Sequence, residues 1–405
     1  MHNSHRSLQE IDQCLRQLLR QTGKKHLLRF LPLAILGVVL SASCHLNRIA
    51  AALAFAGEPK TVWQRLRRWI MRSSFTVTEL LPDLARGFVA CCAADPLPLL
   101  VDRTQWKHAN LLLAAVPFRG RALPVAAMIL EGPKATSATE LRQLLEAAAP
   151  ALPPTATIVV VGDREFGNIP AIKVIRSRGW HFCLRFKNDT WFYDRCGAAW
   201  QAQDTFAPRR RTLWPDVHIT LRRYGPVQCA LAWQEGEDTP WVLVSDLPAG
   251  GLRRIYRQRM RIDEMFSDLK GRGFDLEATR LRDPDRILRL AVLLCLAYLW
   301  LLMATWHGVR RGLRRHVDPA MRRALSYLQI ALRFINHQPP HIVGRLLRAA
   351  SRTFRQSEGQ SGTGTHFPRC HAFLLSATSG RAGINGEPQG QVGKQLPAAG
   401  SGPAA

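Results

Sequence analysis

Three short apolar runs, "LPLLVD" (97–102), "ANLLLAAVPF" (109–118) and "ALPVAAMIL" (122–130), are separated by Gly, Pro and charged residues, the pattern of consecutive strands. A helix is predicted next at "SATELRQLLEAAA" (137–149), where Ser137 precedes Glu140 at the spacing of a capping box. "ATIVVVGD" (156–163) is a continuous β-branched run and predicts a buried strand. "NIPAIKVIRSRG" predicts a helix ending at Gly179, and "WHFCLRF" one more strand. A strand meander passing into alternating strand and helix makes an α/β domain with a mixed sheet. Residues 188–238 are polar and Trp-rich, and core-like apolar runs resume only at "TPWVLVSDLP" (239–248), so a β-rich insertion is predicted between them.

Both flanks read as helical. "LNRIAAALAFAGEPKTVWQRLRRWIMRSS" predicts a short helix, a Gly-Glu-Pro turn, and a second helix with Trp63, Leu66, Trp69 and Ile70 at three/four spacing. The opposite face of that second helix carries Lys60, Arg65, Arg67, Arg68 and Arg72 with no acid among them, an arrangement suited to phosphates. Helices resume from 253 to about 336, and the Gly/Ser/Gln/Pro-rich sequence beyond Ser351 has nothing periodic to bury. The predicted organisation is a helical domain at 1–90, an α/β domain at 91–285 containing the 188–238 insertion, a helical region at 286–350 and a disordered tail at 351–405.

Charge sharpens this picture. Across 405 residues, 56 Lys and Arg face 30 Asp and Glu, a formal charge of +26. Such an excess repels itself unless a polyanion is the partner, and nucleic acid is the commonest. The nine cysteines are scattered without a C-x-x-C pair, which argues against a zinc ribbon or disulfide framework and suits a reducing cytosol. The polar N-terminus lacks the order of a secretory signal. Two uncharged stretches, 30–46 and 290–306, approach spanning length, but the first is broken by Pro32 and Gly37 and the second is flanked by arginines on both sides. Core helices are the expectation for both, with no membrane partner.

Candidate chemistry lies in three places. Asp102 and Asp163 each end an apolar strand, which would aim a carboxylate off the core rim from rigid backbone. The third is "YRQRMRIDEMFSDLK" (256–270), read as one helix in which Asp263 and Glu264 are adjacent. At about 100° per residue, with Tyr256 at zero, Arg259 falls near about −60°, Asp263 near about −20° and Lys270 near about −40°. Those four share a face. Ile262, Met265, Phe266 and Leu269 form the core side, while Glu264 and Asp268 point away from it. This arithmetic favours Asp263 over Glu264 as the working acid; a local rotation of the helix would exchange them.

The spacing of Tyr256, Arg259, Asp263 and Lys270, with "VDRTQW" around Asp102 and "VGDREFG" around Asp163, resembles the signature of DDE transposases from cut-and-paste bacterial insertion sequences. The resemblance spans roughly residues 25 to 340. In that family the third acid is usually Glu, whereas here the position is Asp263, followed by Glu264. The resemblance implies an RNase H-like fold with a β-rich insertion, a helical DNA-binding domain before it and a helical region after it. It implies Asp102, Asp163 and Asp263 as ligands of Mg²⁺, with Mn²⁺ able to substitute, and Tyr256, Arg259 and Lys270 as further catalytic residues. Arg65, Arg67, Arg68, Arg259 and Lys270 are the expected DNA contacts. It further implies a cytoplasmic, nucleoid-associated protein that pairs on double-stranded DNA, cuts the inverted-repeat ends of its own element and joins them to target DNA. The rival readings are an RNase H-like nuclease without strand transfer and an inactive copy that only binds DNA.

Overall fold

A computed structural model describes residues 30–71, 80–90, 92, 94–106, 109–130, 132, 134–206, 212–234, 236–271, 273–319 and 325–337. The first 29 residues and the predicted disordered tail lie outside them.

Three parallel strands form the centre: β1 (Leu97–Trp106), β4 (Ile158–Gly162) and β5 (His181–Phe186). On one side β1 pairs antiparallel with β2 (Ala109–Phe118), and β2 with β3 (Arg121–Leu130), as the meander predicts. On the other, β10 (Trp241–Ser245) lies antiparallel to β5. The insertion continues this same sheet: β9 (Tyr224–Ala232), β8 (Thr212–Ile219), β6 (Trp191–Tyr193) and β7 (Ala199–Gln201) follow β10. The ten strands run β3-β2-β1-β4-β5-β10-β9-β8-β6-β7. All of β4 and β10 is buried, which explains their unbroken apolar runs.

Because side chains alternate along a strand, neighbouring residues of β1 mark the two faces. Arg103 turns to Glu165 at 3.1 Å, on the side where α5 (Ala138–Ala148) and α6 (Ile169–Arg176) pack together. The α5 capping box is formed as predicted, with Ser137 and Glu140 exchanging hydrogen bonds. Asp102 turns to the opposite face, towards α7 (Leu252–Arg257) and α8 (Met260–Leu269).

Those two elements correct the single helix expected over 256–270. Between them the amides of Gln258, Arg259, Arg261 and Ile262 bond to carbonyls three residues back, not four. The chain tightens by a turn of 3₁₀ geometry, so one helical wheel does not hold across the junction.

Among the described residues, four α-helices precede the sheet: α1 (Leu31–Ser41), α2 (Leu46–Ala52), α3 (Pro59–Met71) and α4 (Leu80–Val89). α9 (Pro284–Arg310) and α10 (Tyr327–His337) follow it. α9 is long and apolar enough to cross a membrane, yet 94% of its most apolar window is buried inside the fold. It packs against α1, α4, α10 and β3, so every face meets protein, and an all-round apolar helix is what such a position requires. α1 and α2, the other apolar stretch, bend by 96° and bury most of their apolar side chains. Arg289 of α9, itself buried, donates to the carbonyl of Ile70 at 2.6 Å and ties α3 to this core.

Candidate active site

The parallel register of β1 and β4 pairs Val101 with Gly162. Asp163 follows Gly162 just beyond the end of β4, as predicted, whereas Asp102 does not end its strand: β1 runs on to Trp106 because residues 102–106 still pair with β2, which leaves Asp102 in mid-strand beside the end of β4. Asp163 leaves β4 in a tight turn where its Oδ1 accepts from the Glu165 amide at 2.9 Å. That turn presses on β5: a Cβ on Gly167 would lie 2.2 Å from the Arg185 carbonyl oxygen, so only glycine allows the approach.

α8 brings the third acid. Arg259, at the N-terminal end of α8, donates to Asp102 Oδ2 at 2.6 Å and reaches Asp263 Oδ2 at 3.1 Å, bridging strand and helix. The other oxygen of Asp102 accepts from the Arg103 amide at 2.7 Å. Burial pushes the Asp102 carboxyl up to about 7; Arg259 opposes this, while the charges of Asp163 and Asp263 add to it. Asp263 is raised as well, first by burial and against the pull of Arg259. Burial acts against the Arg259 guanidinium, but Tyr256, Asp102, Asp263 and Asp163 outweigh it and hold the group above its ordinary range. One cation pairs with two acids, Asp102 and Asp263, and feels the charge of the third, Asp163.

The structure therefore brings together Asp102, Asp163, Asp263, Arg259 and Tyr256, and places Lys270 and Glu264 around them. Tyr256 belongs to α7 and is buried, edge-on to Trp241 at 4.8 Å, and it stays near enough to Arg259 and Asp163 for their charges to act on its hydroxyl. Burial pushes its hydroxyl up to about 12, offset by Arg259 and Arg185. Lys270 caps the far end of α8, with its Nζ 3.3 Å from the Gln105 carbonyl and 3.5 Å from Glu277. Glu264 points away from the acids, as the wheel predicts, and pairs with Arg121 at 3.2 Å. Asp268, expected on the solvent side, is buried instead: it accepts from Arg121 at 2.6 Å and from the Tyr298 hydroxyl at 3.1 Å. The wheel allowed α8 one core face, whereas α8 lies between β3 and α9 and buries two.

Arg121, Asp268, Tyr298 and Arg185 carry no motif that sequence reading could use. Their relevance comes from contacts made across long stretches of chain. On α3, Val62, Leu66 and Ile70 form the buried stripe, Trp63 and Trp69 are half-buried, and Arg65, Arg67 and Arg68 are exposed. Arg65 stacks on Phe30 and Arg67 on Trp63, which leaves their cationic edges to solvent.

Among the described residues, no three His, Cys, Asp or Glu side chains stand close enough together to enclose a metal ion. The donor set still has the chemistry of a hard divalent cation. It consists of carboxylate oxygens only, their mutual repulsion demands positive charge, and the 41% exposure of Asp263 opens the cluster to solvent.

Residues 100–300 match the family described as Transposase DDE domain, a span that contains all three acids. No curated protein matches the chain.

Proposed function

We propose that this chain, with its transposase DDE domain at residues 100–300, is a DNA transposase that cuts the inverted-repeat ends of its own element and joins them to target DNA. The observation carrying this reading is that Arg259 ties Asp102, within β1, to Asp263 on α8, with Asp163 just beyond the neighbouring strand β4 and near enough for its charge to act on all three. The strand order β3-β2-β1-β4-β5 along one half of the sheet supports an RNase H-like reading of the domain.

Strand cleavage and joining are phosphoryl transfers, which ask a protein for positioning and charge neutralisation more than for covalent chemistry. Asp102, Asp163 and Asp263 would hold Mg²⁺, with Mn²⁺ as a substitute. Bound there, the cation would neutralise the scissile phosphate and activate the attacking oxygen. Asp102 must lose its proton to serve, and Arg259 is the residue that favours this. Arg259 also sets the orientation of Asp263, its neighbour one helical turn on, through their ion pair. A guanidinium at this point can turn from a carboxylate to a phosphate and present two parallel donors. Lys270, beside the Gln105 carbonyl, would meet a flanking phosphate as a point charge. The exposed arginines of α3 and the helices of residues 1–90 would hold DNA away from the site. Pairing of two copies on DNA belongs to the same reading.

The test is incubation of purified protein with duplexes carrying the inverted repeats that flank its gene, in Mg²⁺. Wild type is expected to nick at the element end and to produce a joined product, and Asp102→Asn to bind the duplex without cutting it. Cutting with no joined product would leave a nuclease, and Asp102→Asn cutting at the wild-type rate would remove the site assignment altogether.

A further inference from the structure

On the face of the sheet opposite Asp102, α5, α6 and the tip of the β8–β9 hairpin enclose an open groove of about 430 Å³. Its floor is apolar, formed by Ile169, Pro170 and Val174 of α6. Three cations stand around it, each from a different element: Arg142 from α5, Lys173 from α6 and Arg222 from the hairpin tip. All three are exposed, and none makes an ion pair with a described residue. The nearby acids are already taken, since Glu146 pairs with Arg178 and Asp246 with Arg176 and His181.

Three converging cations without a counter-charge repel one another, and a chain of formal charge +26 gains nothing from adding them to a concave surface unless an anion fills it. The N-terminal turns of α5 and α6 border the same groove through Ala138 and Ile169; α5 carries its own acid, Glu140, there, so it is α6, capped by the neutral Asn168, that adds a positive helix end. We infer that this groove is a second DNA-binding surface, which takes the phosphate backbone of a duplex without reading its bases. The chemistry is that of successive phosphates along a basic track. No aromatic side chain lines the groove, so it lacks the stacking platform that splayed single-stranded bases use. A duplex held here would lie on the other side of the sheet from the strand being cut. The inference rests on the transposase reading only in taking DNA as the polyanion.

The experiment is fluorescence anisotropy of the full chain with a labelled random-sequence duplex lacking element ends, titrated over a range of salt concentrations. Each phosphate contact contributes about 0.9 to the slope of log affinity against log salt. The triple variant Arg142→Gln, Lys173→Gln, Arg222→Gln is expected to flatten the slope by about 2.7. The charge-retaining variant Arg142→Lys, Lys173→Arg, Arg222→Lys should keep it. Each single Gln variant should remove about 1 from the slope, which covers the case in which the triple variant misfolds. A triple Gln variant that folds and flattens the slope by less than about 1 overturns the groove while leaving the transposase reading intact. Failure of wild type to bind any duplex overturns both, and equal loss in the charge-retaining variant overturns the electrostatic assignment.

Discussion

Arg259 and Asp102, 157 residues apart in sequence, meet at 2.6 Å, and the same guanidinium reaches Asp263. The positive charge the acids require is thus supplied from within the chain. Truncation to Arg259→Met should leave Asp102 and Asp263 with no counter-ion, so at a pH well above the range in which Asp102 ionises the variant should bind Mn²⁺ more tightly than wild type by calorimetry. Its cleavage rate should nonetheless fall by about 10²-fold or more, the usual cost of losing one preorganised donor at a developing charge. Weaker Mn²⁺ binding by the variant would show that Arg259 does not compete for these acids.

The adjacent acids separate by partner. Asp263 faces Asp102 through Arg259, whereas Glu264 is engaged by Arg121 on the other side of α8. Asp263→Ala should abolish cleavage, and Asp263→Glu should be tolerated. Glu264→Ala should cut almost as wild type and lose at most about 1 kcal/mol of stability, because its ion pair is half-exposed. An active Asp263→Ala beside an inactive Glu264→Ala would reverse the assignment.

Arg121 holds a buried carboxylate. Asp268 is almost fully enclosed, and Arg121 and the Tyr298 hydroxyl are its partners. Arg121→Ala would strand that carboxylate in the core, at a cost of about 3–5 kcal/mol in chemical denaturation. The double variant Arg121→Met, Asp268→Leu should be the more stable of the two, since it removes the buried charge along with its partner. If the single variant melts like wild type, the ion pair does not anchor α8.

A pH dependence follows from Asp102. In the folded, metal-free protein its carboxyl is raised from 3.8 to about 7, chiefly by burial. Across that window the folded state holds a proton that the unfolded chain has lost, so the contribution of Asp102 to stability falls as pH rises through it. The melting temperature of wild type relative to Asp102→Asn should therefore decline from acid to neutral pH. Mn²⁺ affinity should rise over the same range, because the ligand must first deprotonate. A flat difference in melting temperature would mean that Asp102 is already ionised in the fold.

Local chemistry made much of this protein legible in its sequence. Alternation and unbroken β-branched runs place the central strands, and Ser137 and Glu140 announce the start of α5. Asp102 and Asp163 are visible as acids where apolar runs end, and the stripe of Ile262, Met265, Phe266 and Leu269 marks the main buried side of α8. Each of these depends on residues within a few positions of one another. Tertiary structure decided the rest, for reasons that no local pattern contains. The helical wheel assumes one axis and one core face, but the chain tightens between Tyr256 and Ile262, and α8 is enclosed from two sides, which puts Tyr256 on a separate helix and buries Asp268. Whether the apolar stretch of α9 met lipid or protein depended on what surrounded it. Arg121, too, gained its significance only when β3 came to lie beside α8, because a salt bridge across 147 residues leaves no trace in the spacing of either partner.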